Sequence, residues 1–294
     1  NDNNPSFGSS CRDLNIPENS AKGYIHTLIA YDQDSGKNGQ VRYNLRDGQG
    51  VFSINSENGQ LSSPALDRES QSSYKLEVIA QDQGSAQVRS ASCMITINVI
   101  DENDNEPNFS QSIYSASVKE DVPLGTEVLK VFASDQDEGA HAAIKYSLEN
   151  ATHSAFTINA DTGSIITTEN LDRETLDQYT FDVMAVDGGK GMVKSSRAVV
   201  TILITDANDH TPQFDQFPFR VNMSATPAIG VPLLRLSASD PDLGAHSQLT
   251  YNLIRPEQRA KFELSANEGI LTVNNADVNW EPGTVERLEV AVSD

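Results

Sequence analysis

The chain has 294 residues, with 21 Lys and Arg against 42 Asp and Glu and a formal net charge of −21. That balance speaks against nucleic acid or an anionic membrane surface as a partner, since both are bound through clustered Lys and Arg, and it favours a cationic partner or metal ions. No run of about 18 apolar residues occurs, so no segment reads as a membrane-spanning helix, and no signal-peptide pattern opens the chain.

In chain order, the sequence begins with "NDNNP" at 1–5 and continues into a candidate strand, "YIHTLIAYD". The turn "DSGKNG" and a second strand, "VRYNL", follow. "FSINSENGQLSS" has a hairpin pattern, with Asn58-Gly59 tolerating positive φ. "YKLEVIAQD" places Tyr74, Leu76, Val78 and Ala80 on one face, the period of a half-buried strand. "CMITINVID" closes this set and runs into "DENDNEP" at 101–107. The same order then recurs: "YTFDVMAVD" repeats the alternation with Tyr179, Phe181, Val183 and Ala185, and "AVVTILITD" runs into "DANDHTP".

Aligned on their prolines, the three acidic segments lie 102 and 105 residues apart. Other motifs keep that spacing. "YDQDSG", "SDQDEG" and "SDPDLG" carry Asp32 and Asp34, Asp135 and Asp137, Asp240 and Asp242. "LDRE" occurs at 66–69 and 171–174, and "AQD", "AVD" and "VSD" end at Asp82, Asp187 and Asp294. A sustained period means an array of like units, each the size of a small domain with its own core. The expected units are 1–102 (with a partial linker at 1–5), 103–207, and 208–294, the last stopping before its final strand. The half-linker at Asn1 leads us to expect an interior portion of a longer chain. About seven short strands per unit predict an all-β protein of Greek-key, immunoglobulin-like antiparallel sandwiches placed end to end.

A lone Asp is usually a solvated surface charge, but that reading fails for a set recurring at one offset. At the first junction the earlier unit offers Glu18, Asp67 and Glu69. The linker offers Asn103, Asp104 and the carbonyls of Glu102 and Asn105. The next unit offers Asp135, Asp137 and Asp187. Two like charges at 4 Å repel by roughly 4 kcal/mol at an effective dielectric near 20, and no Lys or Arg flanks the linker. A cation is therefore expected to balance the charge, and a set of hard oxygen donors selects Ca²⁺. An enzymatic carboxylate pair is the rival reading, but such a pair occurs once per active site, not once per unit. "DGGKG" at 187–191 lacks the full phosphate-loop pattern and reads as a turn. The two cysteines, Cys11 and Cys93, are either a disulfide or two buried thiols. The sequons at Asn108, Asn150 and Asn222 favour the oxidised, secreted reading.

An early Glu, "DRE", "DxNDNxP", "DxD" and "AxD" in this order, over the whole chain, resemble the extracellular repeats of the cadherin family. The resemblance implies about three Ca²⁺ ions per intact junction. By it, Glu18, Asp67, Glu69 and Asp104, helped by Asp137, hold two ions. Asn103, Asp135, Asp137, Asp187 and backbone carbonyls hold the third. One carbonyl comes from a turn that Asn38 fits and where His141 and His246 stand later. The second junction would use Glu120, Asp172, Glu174, Ala207, Asn208, Asp209, Asp240, Asp242 and Asp294, with His210 ligating through its carbonyl. The end preceding the first unit would use Asp2, Asp32, Asp34 and Asp82. The only Trp, Trp280, lies in the third unit, unlike the near-N-terminal Trp of type I cadherins. The chain thus resembles interior repeats of a long cadherin of the Fat, Dachsous, Flamingo or protocadherin groups. It is expected on the extracellular face of the plasma membrane, adhering homophilically or heterophilically to other cadherins. A calcium-stiffened spacer is the alternative. The third unit has Ser224 where its predecessors have Glu18 and Glu120, and "ADVNWEPG", with Asp277 and Glu281, where they have "LDRE". The junction after it is therefore expected to bind fewer ions.

Overall fold

The structure is a computed structural model that describes residues 1–48, 50–150, 154–189, 191–223, 227–275, 281 and 283–294. Ser224, Asp277 and Trp280 lie outside the described residues. Among the described residues strands dominate, and no helix is long and apolar enough to cross a membrane.

The first unit packs two sheets face to face. One holds Leu14–Pro17, Ser90–Ile100, Ser73–Gln81 and Arg42–Arg46 in that order; the other holds Gly23–Thr27, Gln60–Ser63 and Ser53–Ile54. The second unit repeats this plan. Ile113–Lys119, Ser195–Thr205, Gln178–Val186 and Lys145–Glu149 form one sheet, and Glu127–Lys130, Ser164–Thr167 and Phe156–Ile158 the other. The third contributes Pro232–Arg235, Ile270–Val273 and Phe262–Leu264, and a pair formed by Thr250–Leu253 and Val290–Ser293.

The alternating residues fill the space between sheets. Leu76, Val78 and Ala80 are fully buried with Ile95 and Ile97, and Val183, Ala185, Val200 and Ile202 match them in the second unit. Each aliphatic side chain so placed contributes about 1.5–3 kcal/mol relative to exposure. Two edge-to-face ring pairs sit at equivalent places, Phe52–Tyr74 and Phe156–Tyr179, both with centroids 5.1 Å apart.

One pairing departs from an all-antiparallel sandwich. Leu14–Pro17 runs parallel to Ser90–Ile100, and Ile113–Lys119 parallel to Ser195–Thr205. When the first and last strands are neighbours and co-directional, the chain enters a unit at one end and leaves at the other. Linkers are then delivered to the ends, as a serial array requires.

"YIHTLIAYD" is not one strand. Gly23–Thr27 joins the three-stranded sheet, while Ala30–Tyr31 pairs with Ser6–Phe7. Between them Leu28 is pinned, its N–H donating to the carbonyl of Gly59 at 3.0 Å. Gly59 has φ +68, and a Cβ there would lie 2.1 Å from the Leu28 oxygen, so the hairpin needs glycine on both counts. Gly163 against Val131 and Gly269 against Leu236 repeat the contact.

Cys11 and Cys93 are bridged, with Cα atoms 5.9 Å apart and a sequence separation of 82. The bridge ties the segment between Ser6–Phe7 and Leu14–Pro17 to Ser90–Ile100.

Candidate metal centres

The parallel strand pair also builds the forward end of each of the first two units. Glu18 follows Leu14–Pro17 and is 0% exposed. Its N–H donates to the Ile100 carbonyl at 2.9 Å, and its two oxygens accept the N–H groups of Glu102 at 2.8 Å and Arg68 at 2.9 Å. One carboxylate thus fastens the first strand, the "DRE" turn and the linker. Glu120 does the same with Thr205, Ala207 and Arg173. Asp67 caps its own turn, accepting the Ser70 N–H at 3.2 Å and Oγ at 2.8 Å, and Asp172 accepts Thr175 likewise.

The backward end is set by short-range hydrogen bonds. The Asp137 N–H donates to Asp135 at 3.0 Å, and the Asp34 and Asp242 N–H groups donate to Asp32 and Asp240 at 2.9 Å each. Asp187 accepts the N–H groups of Gly189 and Lys194, and Asp82 those of Gly84 and Arg89. The linkers close onto these loops. The Asn105 side-chain amide donates to Asp137 at 2.7 Å, and the Asn3 amide to Asp34 at 2.8 Å and to Asp2 at 3.3 Å. Asn103 donates to the Met192 carbonyl at 2.7 Å. Asn38 sits in the turn Gly36–Gly39, and Asn208 is exposed.

Ligand atoms converge within 4.8 Å in five groups among the described residues. These are Glu18–Asp67–Glu69; Glu69–Asp104–Asp137; Glu120–Glu174–Asp206; Glu174–Asp209–His210–Asp242; and Asp240–Asp242–Asp294. Asp135 and Asp187 fall in no such group, nor does Asp172. His210 brings a ring nitrogen, not only a carbonyl, into the second junction, with Nδ1 2.8 Å from Asp209 and 3.0 Å from Asp242.

The electrostatics are those of a crowded, partly buried anion cluster. Burial pushes the Glu69 and Asp137 carboxyls up, reinforced by the charges of Glu18 and Asp135 respectively. At the other extreme, the Asn3 amide holds Asp34 down at about 2. His210 is pushed up against its burial by Asp209 and Asp242. A further observation bears on a cation. Among the described residues, the buried carboxylate and amide oxygens without a hydrogen-bond partner belong to Asp32, Asp82, Asn103, Asp135, Asp137, Glu174 and Asp240. All seven are in the motif set, and unpaired buried oxygens are rare elsewhere in proteins.

Two features were missed by reading the linkers alone. The acidic segment is not without a basic neighbour: Nε of Arg68 lies 2.7 Å from Asp101, and Nε of Arg173 lies 2.8 Å from Asp206. The Lys194 ammonium also donates to the Asp104 carbonyl at 2.9 Å. Asp206 falls in a ligand group, but both its oxygens are already engaged, by Arg173, His246 and the Leu243 N–H. The signal was present, since Arg recurs inside "LDRE" and Asp opens each complete linker.

A Cadherin domain model matches residues 12–100 and 114–205. Protein dachsous of Drosophila melanogaster is 41% identical over 100% of this chain, which spans 8% of that protein. Protocadherin Fat 4 of Mus musculus is 39% identical over 92% of the chain, which spans 5% of it. The solved structure of mouse Cadherin-23 EC22-24 superposes with a TM-score of 0.78 at 32% identity, covering 93% of this chain and 89% of that one. The domain model, the superposed sandwiches and the sequence identity agree: the chain belongs to the cadherin family of non-enzymatic adhesion proteins, as repeats akin to those of Dachsous, Fat and the protocadherins.

Proposed function

We propose that these repeats are a calcium-stiffened segment of a long adhesion protein on the extracellular face of the plasma membrane, and that they take part in binding other cadherins. The observation that carries the calcium reading is the set of seven unpaired buried oxygens at the unit ends. They are all oxygen donors from Asp, Glu and Asn, the chemistry that Ca²⁺ takes. At the first junction, Glu18, Asp67, Glu69 and Asp104 with Asp137 would hold two ions, and Asn103, Asp135, Asp137, Asp187 and the carbonyls of Glu102, Asn105 and His141 a third. At the second junction the corresponding set is Glu120, Asp172, Glu174, Asp209, Asp240, Asp242, Asn208 and Asp294, with the carbonyls of Ala207, His210 and His246. Asp2, Asp32, Asp34, Asn38 and Asp82 would serve a preceding junction. Calcium supplies the positive charge that lets these carboxylates approach one another; the chain supplies their orientation. The units 1–102, 103–207 and 208–294 then act as rigid bodies whose joints set with metal. Glu281, the described residue of the altered third-unit motif, is exposed, consistent with a junction after it that takes fewer ions. Asn108 and Asn222 are exposed, as glycan acceptors must be, and the Asn150 amide donates to Asp182.

Extracellular calcium modules bind at about 10⁻⁴–10⁻³ M. Small-angle scattering should therefore show one well-defined maximum dimension in millimolar calcium and a spread of dimensions in EDTA. Profiles that superimpose would overturn the reading. A pure spacer is distinguished by sedimentation in calcium, where it stays monomeric and binds no cadherin partner.

A further inference from the structure

His210 stands in the second linker where the first linker has Asn105. The carboxylates around the two positions correspond: Glu69, Asp104 and Asp137 at the first junction, and Glu174, Asp209 and Asp242 at the second. At the first, the Asn105 side-chain amide donates to Asp104 at 2.8 Å and to Asp137 at 2.7 Å. An amide nitrogen has no lone pair for a metal, so that group offers oxygen donors alone. At the second, Nδ1 of His210 lies 2.8 Å from Asp209 Oδ1, 3.0 Å from Asp242 Oδ1 and 3.9 Å from Glu174 Oε2. The Asp242 side chain is closed to solvent, and its Oδ2 accepts the His210 backbone N–H at 3.3 Å. Arg173 engages Glu174 Oε1, but Glu174 Oε2 is buried and has no hydrogen-bond partner.

We propose that His210, Glu174, Asp209 and Asp242 form a site for a borderline divalent metal of the zinc class, with the imidazole nitrogen as a ligand, at the second junction and not at the first. Imidazole suits Zn²⁺ and its neighbours, whereas Ca²⁺ takes oxygen. Four donors about 2.0–2.2 Å from a tetrahedral Zn²⁺ lie roughly 3.3–3.6 Å from one another. The separations of 2.8, 3.0 and 3.9 Å around His210 fall on both sides of that spacing. Shifts of about half an ångström gather the set. A histidine serving only as a cation for its acidic neighbours is the alternative. It accounts for Asp209 and Asp242 but leaves Glu174 Oε2 unsatisfied, since 3.9 Å is too long for a hydrogen bond. A metal between them answers to that oxygen, which is the one facing the ring. Asp209 and the ring are 52% and 39% exposed, which gives an ion a way in. The three carboxylates are shared with the proposed calcium set, but the inference rests on the ring nitrogen and stands or falls apart from that reading.

The test adds zinc chloride to the whole chain, labelled with ¹⁵N, in calcium-free buffer at about pH 8, above the ordinary imidazole range. Calorimetry reads the binding. The two ring resonances of His210 are followed by nitrogen NMR and assigned by comparison with His210→Asn, which gives the second linker the residue of the first. Zinc should move the Nδ1 resonance of His210 far more than its Nε2 resonance. His210→Asn should bind zinc at least about tenfold more weakly, a loss that follows even from removing an outer partner of a metal ligand. Equal zinc affinity in wild type and variant, or His210 resonances that zinc leaves in place, would overturn the proposal; zinc held only by the other histidines gives the second of these results. Should His210→Asn fail to fold, His210→Gln supplies the same comparison. A parallel calcium titration separates the two readings. Absence of calcium binding removes the calcium reading and leaves the zinc result standing, whereas calcium binding with unmoved His210 resonances in zinc removes this proposal alone.

Discussion

Glu18 shows how a candidate metal ligand can serve structure first. Both its oxygens are occupied by backbone N–H groups at a site closed to solvent. Glu18→Ala should therefore cost about 2–4 kcal/mol of first-repeat stability even in EDTA, because two donors lose their partner, and chemical denaturation would show it. Asp137→Ala should act differently, weakening calcium binding at the first junction while the second junction titrates as before. The raised Glu69 and Asp137 carboxyls give a pH signature. The fold binds protons at these sites more tightly than the unfolded chain, so the metal-free protein gains stability as pH falls toward the ordinary carboxylate range. Calcium requires both groups ionised, so its contribution shrinks over the same interval. The Tm difference between calcium and EDTA should narrow on going from about pH 7 to about pH 5; a constant difference would contradict this. The candidate ligand positions were legible in the sequence because their residue types recur at a fixed offset. The contacts of Arg68 and His141 with Asp101 were not, because linear spacing says which residues recur but not which of them face each other across a junction.

At the scale of elements, alternation did most of the work. Leu76, Val78 and Ala80 are buried because a strand with one face in a sandwich has period two. The break in "YIHTLIAYD" was invisible to that rule, since Leu28 keeps the apolar pattern while its N–H is recruited by Gly59 from a hairpin 31 residues on. Parallel pairing of first and last strands was equally hidden, because a strand's pattern does not state its neighbour's direction. The bridge between Cys11 and Cys93 closes a long loop and so restricts the unfolded chain strongly. Replacing both with Ser should lower the first repeat's unfolding free energy by about 2–4 kcal/mol, leaving the transition of the second repeat in place. Loss of stability in both repeats together would mean that they do not unfold independently.

Across the whole molecule, a serial array of like sandwiches was legible from the repeat alone, since the same acidic motifs recur in order in the first two periods. The relative Protein dachsous is more than ten times longer than this chain, and in so long a relative what such repeats do would depend on how their joints carry load. A pull applied at the two ends of a unit draws its parallel first and last strands in opposite directions along their length. Every rung of that ladder is sheared at once instead of being opened one by one. In the second repeat seven residue pairs, from Ile113 with Val199 to Lys119 with Thr205, share the tension. In the first repeat the matching ladder has only four pairs and its first strand lies inside the disulfide loop: tension passes from Cys11 straight through sulfur to Cys93, and the polypeptide between them, Leu14–Pro17 included, is shielded from it. Single-molecule extension should accordingly show a hidden length of about 270 Å, from the 82-residue separation at about 3.3 Å per residue, that is released only under reducing conditions. The first repeat is thus a short tether with a covalent stop, and the second a spring that yields all at once.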